Sequence, residues 1–397
     1  MARNDLVICG FEQGPLASGG TAPAELDNVF AQCKVSPAGL PRSGNYHLLL
    51  DYTVAAANTQ GDLPFSGRQT VSKVHRRVKH GLRVDDPGSG YSDGLWLWKW
   101  GTGTGPGIKV WGIATPQSLE LRRPDGSSVG FFLINYGQEY IVELYWRCDA
   151  GDPYGQLLVD GVSRITSSHA SWGTAATPSV IQFGQSVGKG ITERQQPYTD
   201  DMWVMEGDAE SDAIPDPLPK ILAALPNLDG DTEEFTGSPD TTNHYANVDD
   251  ASSASKDDTD YNESGTATAQ KSELYNFRDS ATIGLGASDI INAVQASCIA
   301  RVPAGTNGQP SLLVKDSGTE YTTNMTPGLN YITNGAYTRL DVVQPNGGAA
   351  WTQARLDAFQ AGMRRAAGAS DMRNLRLSSI MLMVGYQPAR RRPIRVI

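Results

Sequence analysis

The sequence predicts an all-β fold of two tandem antiparallel sandwiches with one helix near the C-terminus. The chain has 397 residues, more than a single sandwich usually needs. It contains 43 glycines and 23 prolines, and only 19% of its residues are charged, a composition typical of many turns and few long helices. Apolar and polar residues alternate over short segments, which is the period of a half-buried strand.

The clearest strand pair lies near the middle of the first half of the chain. Residues 140–147 alternate between an apolar face and a face that carries Glu143 and Arg147. Glycine, aspartate and proline then form a turn, and a second short strand ends in the turn pair Asp160 and Gly161. This pattern predicts an antiparallel hairpin with one wet face.

Composition divides the chain into two domains. Residues 1–207 carry short strands at regular spacing, as in a sandwich. Residues 208–221 are acidic and contain three prolines, which block sheet pairing and indicate a linker. Residues 222–388 form the second predicted sandwich, and residues 389–397 form a basic C-terminal tail.

The second domain has its own strand signals and the predicted helix. Residues 290–301 favour a long strand, and residues 311–315 and 319–321 favour a hairpin. Residues 352–367 are predicted to be helical, with Thr352 as the N-cap. Three apolar residues recur there at helical spacing: Leu356, Phe359 and Met363.

Overall charge and hydropathy limit the classes of partner. The formal net charge is −10 and the isoelectric point is near 5.0, which argues against a nucleic-acid coat protein. Mean hydropathy is −0.34, and no apolar run is long enough to span a bilayer. The N-terminus lacks the apolar core of a signal peptide, so we expect the protein to remain in the cytoplasm until assembly or lysis. The cysteines are scattered, which predicts buried free thiols: Cys9, Cys33, Cys148 and Cys298.

Two basic segments are opposite in sign to the acidic middle of the chain. Within residues 71–84, Lys73, Arg77 and Lys79 share one face with His75. This face is either a solvated strand surface or a stripe for phosphate or an acidic partner. The tail adds four arginines: Arg390, Arg391, Arg392 and Arg395. Complementary charges guide the packing of repeated copies, so we predict protein contacts at both basic segments.

A tryptophan row is the main candidate for ligand binding. Trp96, Trp98 and Trp100 fall on one face if residues 95–100 form a regular strand. An exposed row would stack on sugars, whereas a buried row would be core. The core interpretation is favoured, with three further rings joining the same interior: Trp111, Trp146 and Trp172.

Catalytic and metal motifs are sparse. The sequence has no H-E-x-x-H, P-loop or G-x-S-x-G motif. Glu139 and Glu143 share a strand face but lack the intervening aspartate of jelly-roll glucanases, so no catalysis is expected. Asp229 and Asp231 could hold Ca²⁺ in a turn, with a solvated acidic turn as the alternative. No other cofactor is expected.

Residues 6–207 resemble the laminin-G and concanavalin-A-like jelly-roll family. The resemblance is carried by the segments GFFLINYGQEYIVELYW, GQLLVDG, SVIQFGQ and TDDMWVMEG, in that order. It implies a jelly-roll fold for the first domain. Because the family includes lectins, glucanases and domains with no known ligand, it leaves the function open.

Residues 222–386 resemble a module of tailed-phage virion proteins. The matching elements are LP-x-x-DGD, H-Y-x-x-V-D, I-x-A-V-Q and W-T followed by L-x-A-F-Q-x-G. The resemblance implies a non-enzymatic structural protein of the virion, assembled in the host cytoplasm. Other virion proteins and further copies of the chain would be its partners. The alternatives are a module that binds cell-surface glycans and, third, a glycosidase.

Overall fold

The structure is a computed structural model that divides the chain into two compact units. The first unit runs to Leu218 and the second begins at Pro219. The structure describes residues 4–10, 33–36, 47–50, 59–64, 73–85, 95–101, 105–111, 117–173, 180–185, 196–249, 259–265, 269–301, 310–324, 338–341, 350–367 and 375–389. Within these ranges, no helix is long and apolar enough to cross a membrane.

The described residues of the first unit form fourteen strands in two antiparallel sheets. In chain order they are β1 Asn4–Cys9, β2 Cys33–Ser36, β3 His47–Leu50, β4 Thr59–Pro64, β5 His75–Asp85, β6 Leu95–Trp100, β7 Gly107–Trp111, β8 Ser118–Arg122, β9 Ser128–Leu133, β10 Glu139–Arg147, β11 Tyr154–Val159, β12 Val162–Ser167, β13 Val180–Gln185 and β14 Gln196–Gly207. The eight-stranded sheet has the order β12-β11-β10-β5-β14-β3-β2, and β1 also pairs with β14. The six-stranded sheet has the order β4-β13-β6-β7-β8-β9. Both sheets contribute apolar side chains to one core.

The predicted hairpin is confirmed. Strands β10 and β11 pair antiparallel, with Val142 opposite Val159. Strand β12 follows across a tight turn in which Asp160 and Gly161 have positive φ angles of 52° and 75°. At the other end of β11, the Trp172 ring covers Gly155 so closely that a Cβ at this position would lie 2.2 Å from the ring.

Strand β5 places two basic side chains inside the first core. Arg76 and His80 interrupt the apolar face of this strand, and both are buried. The indole Nε1 of Trp98 donates to the Nε2 of His80 over 2.9 Å. The Arg76 guanidinium lies 5.6 Å from the centroid of the Trp100 ring, and Glu206, also buried, stands opposite Arg76 on β14. Aromatic rings therefore form much of the surroundings of these buried polar groups.

The second unit is a second antiparallel sandwich with a single core. Its strands are β15 Lys220–Ala224, β16 Pro226–Glu233, β17 Thr236–Ser238, β18 Tyr261–Glu263, β19 Lys271–Phe277, β20 Ile290–Arg301, β21 Pro310–Asp316, β22 Thr319–Asn324, β23 Thr338–Asp341, β24 Gln360–Arg365 and β25 Arg376–Gln387. One sheet has the order β17-β18-β25-β20-β23, with β15 paired to β25, and the other has the order β16-β19-β24-β21-β22. Two short 3-10 turns complete the described elements of the chain: Ala170–Gly173 and His244–Asn247.

The predicted helix exists but is much shorter than the sequence pattern indicated. Helix α1 spans Gln353–Asp357, and the hydroxyl of Thr352 accepts a hydrogen bond from the Arg355 backbone N–H, as expected of an N-cap. The rest of the predicted segment is strand β24, which lies between β19 and β21 in the sheet. Phe359 and Met363 are four residues apart, a spacing that places two side chains on one face of either a helix or a strand. Because β24 pairs with β19 on one side and with β21 on the other, this segment forms a strand and not a continuation of the helix.

The predicted fold class is confirmed. Each unit is an all-β antiparallel sandwich, and a single short α-helix lies near the C-terminal end of the described chain. The predicted strand at residues 290–301 and the hairpin of β21 and β22 are present with nearly the predicted bounds.

Candidate functional site

The three tryptophans that the sequence predicts to form a row, Trp96, Trp98 and Trp100, do not share one face of strand β6. A β-bulge lies between Trp96 and Trp98, so that both Leu97 and Trp98 join the core. Trp98 and Trp100 are buried, which confirms the core interpretation for these two rings and removes them as sugar contacts. Trp96 lies on the opposite side of the sheet and is only partly buried.

The outer side of strands β6 to β9 carries a set of side chains that we call the aromatic face. Lys109 and Trp111 alternate with the core residues Ile108 and Val110, so Trp111 lies outside the predicted interior. Trp146 and Trp172 do lie in that interior. The described side chains of the aromatic face are Trp96, Lys99, Lys109, Trp111, Ser118, Glu120, Arg122, Phe131 and Leu133.

Strand register brings the members of the aromatic face together. One row crosses the sheet from Trp96 to Lys109, Glu120 and Phe131. Trp111 is two residues from Lys109, and its ring meets Phe131 edge to face at 5.8 Å between centroids. Phe131 is 55% exposed. The face therefore presents aromatic surface on three of its four strands.

The Trp96 ring extends across the sheet over Gly107. A Cβ at Gly107 would lie 2.9 Å from the ring, so glycine leaves the room that this ring position needs. The ammonium of Lys109 is 5.0 Å from the ring centroid, and that of Lys99 is 6.0 Å from it. Both lie within the range of a cation–π interaction, which helps to hold the ring in this orientation.

Glu120 fixes two neighbours at the centre of the aromatic face. It is fully buried, and its Oε2 accepts a hydrogen bond of 2.5 Å from the Trp111 indole. Its Oε1 lies 2.9 Å from the Nε of Arg122, whose Nη1 donates to the carbonyl of Gly126 over 2.7 Å. A buried carboxylate with such partners orients the side chains around it, so Glu120 serves as a positioning residue for Trp111 and Arg122.

The predicted basic stripe lies on the outer side of the eight-stranded sheet and binds an acidic segment of its own chain. We call residues 208–218 the acidic strap. Lys73 pairs with Asp208 at 3.1 Å, and Lys79 pairs with Asp216 at 2.9 Å. Arg77 donates to the backbone carbonyls of residues 210 and 212 over 2.7 and 3.1 Å. The strap therefore contacts the three stripe side chains that the sequence assigned to protein contacts, Lys73, Arg77 and Lys79.

A buried carboxylate lies beneath the strap. Glu143 of β10 is 2.5 Å from the Nη1 of Arg77 and 3.7 Å from the Nζ of Lys79. The face predicted to be wet is therefore largely covered at this point. Beside it, the phenol of Tyr145 shares a 2.8 Å hydrogen bond with the Nδ1 of His75. Burial lowers the pKa of His75, which favours the neutral ring, and raises the pKa of Tyr145 to about 12, which keeps the phenol protonated near neutral pH.

Asp229 and Asp231, the candidate calcium ligands, have separate protein partners. The Asp229 carboxylate accepts backbone hydrogen bonds from His244 and Tyr245 over 3.1 and 2.7 Å. Asp231 pairs with Lys315 at 2.5 Å, and this contact lowers the pKa of the Asp231 carboxyl. The described residues contain no cluster of three or more histidine, cysteine or acidic side chains that could hold a metal ion. The four tail arginines lie outside the described residues: Arg390, Arg391, Arg392 and Arg395.

Most of the aromatic face was missed by sequence reasoning. Trp111 was assigned to the interior because it is aromatic, although residues 107–111 alternate and set Trp111 apart from Ile108 and Val110. That alternation was a usable signal. Glu120 and Phe131 had no local motif, because cross-strand register alone makes them neighbours of Trp111, and Arg122 joins the face through its ion pair with Glu120.

No family model matches the sequence, and no curated protein matches it. Solved structures match at low similarity. An endo-1,3-beta-glucanase from Streptomyces sioyaensis has 12% identity and a TM-score of 0.35, covering 52% of this chain and 96% of its own. The carbohydrate esterase vb_24B_21 from the Shiga toxin-encoding bacteriophage phi24B has 10% identity and a TM-score of 0.34, and the match covers 52% of this chain and 100% of the esterase chain. Lectin II from Ulex europaeus has 12% identity and a TM-score of 0.29, and the match covers 42% of this chain and 89% of the lectin chain.

Proposed function

We propose that this protein is a non-catalytic, carbohydrate-binding protein that holds saccharides on the aromatic face. The observation that carries the proposal is the set of three rings, Trp96, Trp111 and Phe131, outside the core on one sheet surface. Flat apolar rings match the C–H faces of sugar rings, and adjacent polar groups can bind the hydroxyls. A rigid sheet holds such groups in place before binding, which lowers the entropic cost of association.

Pre-organisation supports this proposal beyond the presence of aromatic residues. The indole N–H of Trp111 is bound to buried Glu120, and the Trp96 ring is seated over Gly107. Both rings are therefore oriented by the protein itself. The core partners of Trp98 and Trp100 explain why those two rings are not part of the binding surface.

A glycan array and two alanine variants test the proposal. We expect the full chain to bind at least one class of immobilised oligosaccharide, and Trp96→Ala or Trp111→Ala to weaken that binding by about tenfold, the effect of losing one central aromatic contact. Val162→Ala is the matched control, because Val162 is 49% exposed on another strand and should leave binding unchanged. Thermal unfolding of each variant verifies the fold. Binding that survives the loss of both tryptophans would contradict the proposal.

The resemblance of residues 222–386 to phage virion modules supports a second proposal, that the protein is a structural component of a tailed-phage particle. The aromatic face would then serve attachment to a host-surface glycan, while contacts with other virion proteins and with further copies of the chain would hold the protein in the particle. Quantitative mass spectrometry of purified particles tests this second proposal by measuring the number of copies of this chain relative to the major capsid protein. A high ratio indicates a shell protein and a low ratio indicates a neck, tail or fibre component. Absence from particles would refute the virion role without affecting the binding test.

A further inference from the structure

The acidic strap lies on the outer side of the eight-stranded sheet without joining it as a strand. Residues 208–218 are all described, and they form turns and irregular backbone but no strand. Pro215 and Pro217 lack the backbone N–H that a sheet ladder needs. Side chains of the basic stripe therefore supply contacts to this segment that a neighbouring strand would supply through its backbone.

Each of these contacts recognises a general feature of an acidic peptide. The ammonium group of Lys73 pairs with Asp208 near one end of the strap. The ammonium group of Lys79 pairs with Asp216 near the other end. Between them, the Arg77 guanidinium donates to two backbone carbonyls, a group that every peptide carries. The stripe thus binds two carboxylates and the backbone that connects them.

The outer side of this sheet also carries buried apolar side chains. Met202 and Val204 of β14 belong to the core, so Trp203 and Met205 lie on the outer side, where both are fully buried. Ile214 of the strap is buried as well. This side of the sheet therefore combines apolar surface with the cationic contacts, a combination that suits a peptide with one apolar anchor.

The sheet itself positions two cations of the stripe. Glu143 of β10 accepts a hydrogen bond of 2.5 Å from the Nη1 of Arg77 and lies 3.7 Å from the Nζ of Lys79. The Arg77 guanidinium also lies 4.3 Å from the centroid of the Tyr145 ring, within the range of a cation–π interaction. These contacts come from the neighbouring strand and not from the strap. The stripe is therefore oriented before a peptide arrives, which lowers the entropic cost of binding.

The two ion pairs at the ends of the strap are of a kind that a competitor can replace. The Asp208 side chain is 47% exposed and the Asp216 side chain is 76% exposed. Ion pairs with such exposed carboxylates are screened by salt and contribute little to stability. A segment of the same chemistry on another protein can therefore compete with the strap for the stripe, although the strap has the advantage of a high effective concentration.

We infer that the outer side of the eight-stranded sheet binds an extended acidic peptide segment of a partner protein, and that the chain's own strap occupies this surface until the partner binds. The strap shows the chemistry that the partner has to match: two carboxylates, the carbonyls between them and an apolar anchor. The inference goes beyond the proposed function, because the aromatic face lies on the other sheet. Failure of either one leaves the other intact.

Fluorescence anisotropy with a labelled peptide of residues 207–218 tests the inference on the full chain. The double variant Asp208→Asn, Asp216→Asn weakens the hold of the chain's own strap. We therefore expect it to bind the peptide about tenfold more tightly than the wild type does, the effect of two exposed ion pairs. A control peptide with asparagine at both positions should bind the double variant about tenfold more weakly than the acidic peptide. Thermal unfolding verifies that the variant keeps its fold.

A photo-crosslink locates the bound peptide without a further substitution in the protein. A peptide with benzoylphenylalanine at the position of Ile214 should crosslink to β5, β10 or β14. Absence of peptide binding to the folded double variant, equal binding of the two peptides, or a crosslink outside these strands would each overturn the inference. Concentration-dependent dimers of the wild type that the double substitution abolishes would assign the surface to the strap of a second copy, and would also overturn it.

Discussion

Replacing Gly362 with alanine should destabilise the second unit by about 3 kcal/mol or more, the upper part of the range for overpacking. An added Cβ would lie 1.8 Å from the Glu273 carbonyl oxygen and 2.9 Å from the Leu274 Cα, both backbone atoms of β19. Strand β24 is hydrogen-bonded on both sides, to β19 and to β21, so it cannot move away from one neighbour without losing the other. We therefore expect the added methyl group to push β24 and β19 apart and to weaken the hydrogen bonding between these central strands of the sheet.

The sign of this effect distinguishes the strand from the helix that the sequence pattern predicts. In an exposed helix, a glycine-to-alanine change would stabilise the protein by about 1 kcal/mol. Hydrogen exchange of the peptides that contain β19 and β24 measures the change. The control is Gly286→Ala, since a Cβ there would meet its nearest atoms at an ordinary 3.4 Å, and it should leave the exchange of these strands unchanged. Slower exchange in Gly362→Ala would contradict the strand assignment.

Acidification from pH 7.5 to 4.5 should cost the first unit about 2–3 kcal/mol through His80 alone, at 1.36 kcal/mol for each unit of pKa difference. Burial lowers the pKa of His80 from 6.5 to about 4. The Nδ1–H donates to the carbonyl of Gly81 over 3.0 Å, while Nε2 accepts from Trp98, which requires the neutral ring. A second proton would face the indole N–H and place a charge in the apolar core.

The direction of the pH dependence follows from the lowered pKa. Between pH 6.5 and pH 4 the unfolded chain binds a proton at His80 and the folded chain does not. The stabilising contribution is therefore complete above about pH 6.5 and is lost as the pH falls towards 4. Carboxylates also titrate in this range, so their contribution has to be removed by comparison with a variant.

Urea unfolding of the wild type and of His80→Gln at both pH values isolates the effect. Seven of the eight tryptophans lie in the first unit, so tryptophan fluorescence follows its unfolding. The variant should be less stable at pH 7.5, because glutamine replaces a fitted ring in the core, but its free energy of unfolding should fall less on acidification. His169→Gln is the control, since His169 is exposed. Equal pH dependence in wild type and His80→Gln would refute the assignment.

Local periodicity was enough to predict the fold class. Alternation identified the hairpin of β10 and β11, the long strand β20 and the hairpin of β21 and β22, because each is a local pattern of buried and exposed positions. The N-cap at Thr352 was also a local feature, and the structure confirms it.

The candidate site was not predictable in the same way. The bulge beside Leu97 reverses the side-chain alternation of β6. The six residues of this strand, in which tryptophan occupies every second position, contain no signal that predicts the reversal. The extent of the helix was likewise ambiguous, because Phe359 and Met363 fit both periods. Its end was set by the pairing of β24 with two strands that are distant in sequence.

The sequence by itself determined that this chain forms antiparallel β-sandwiches, because the period of two is a property of each strand's own residues. Tertiary structure alone decided that Trp96 lies on the opposite side of the sheet from Trp98 and Trp100, and which cations of the basic stripe have partners. Trp96 and Lys109 became neighbours through the register of β6 and β7, and Lys79 came to pair with Asp216 through the path of the acidic strap. Register and chain path depend on contacts between residues far apart in sequence, which no local pattern encodes.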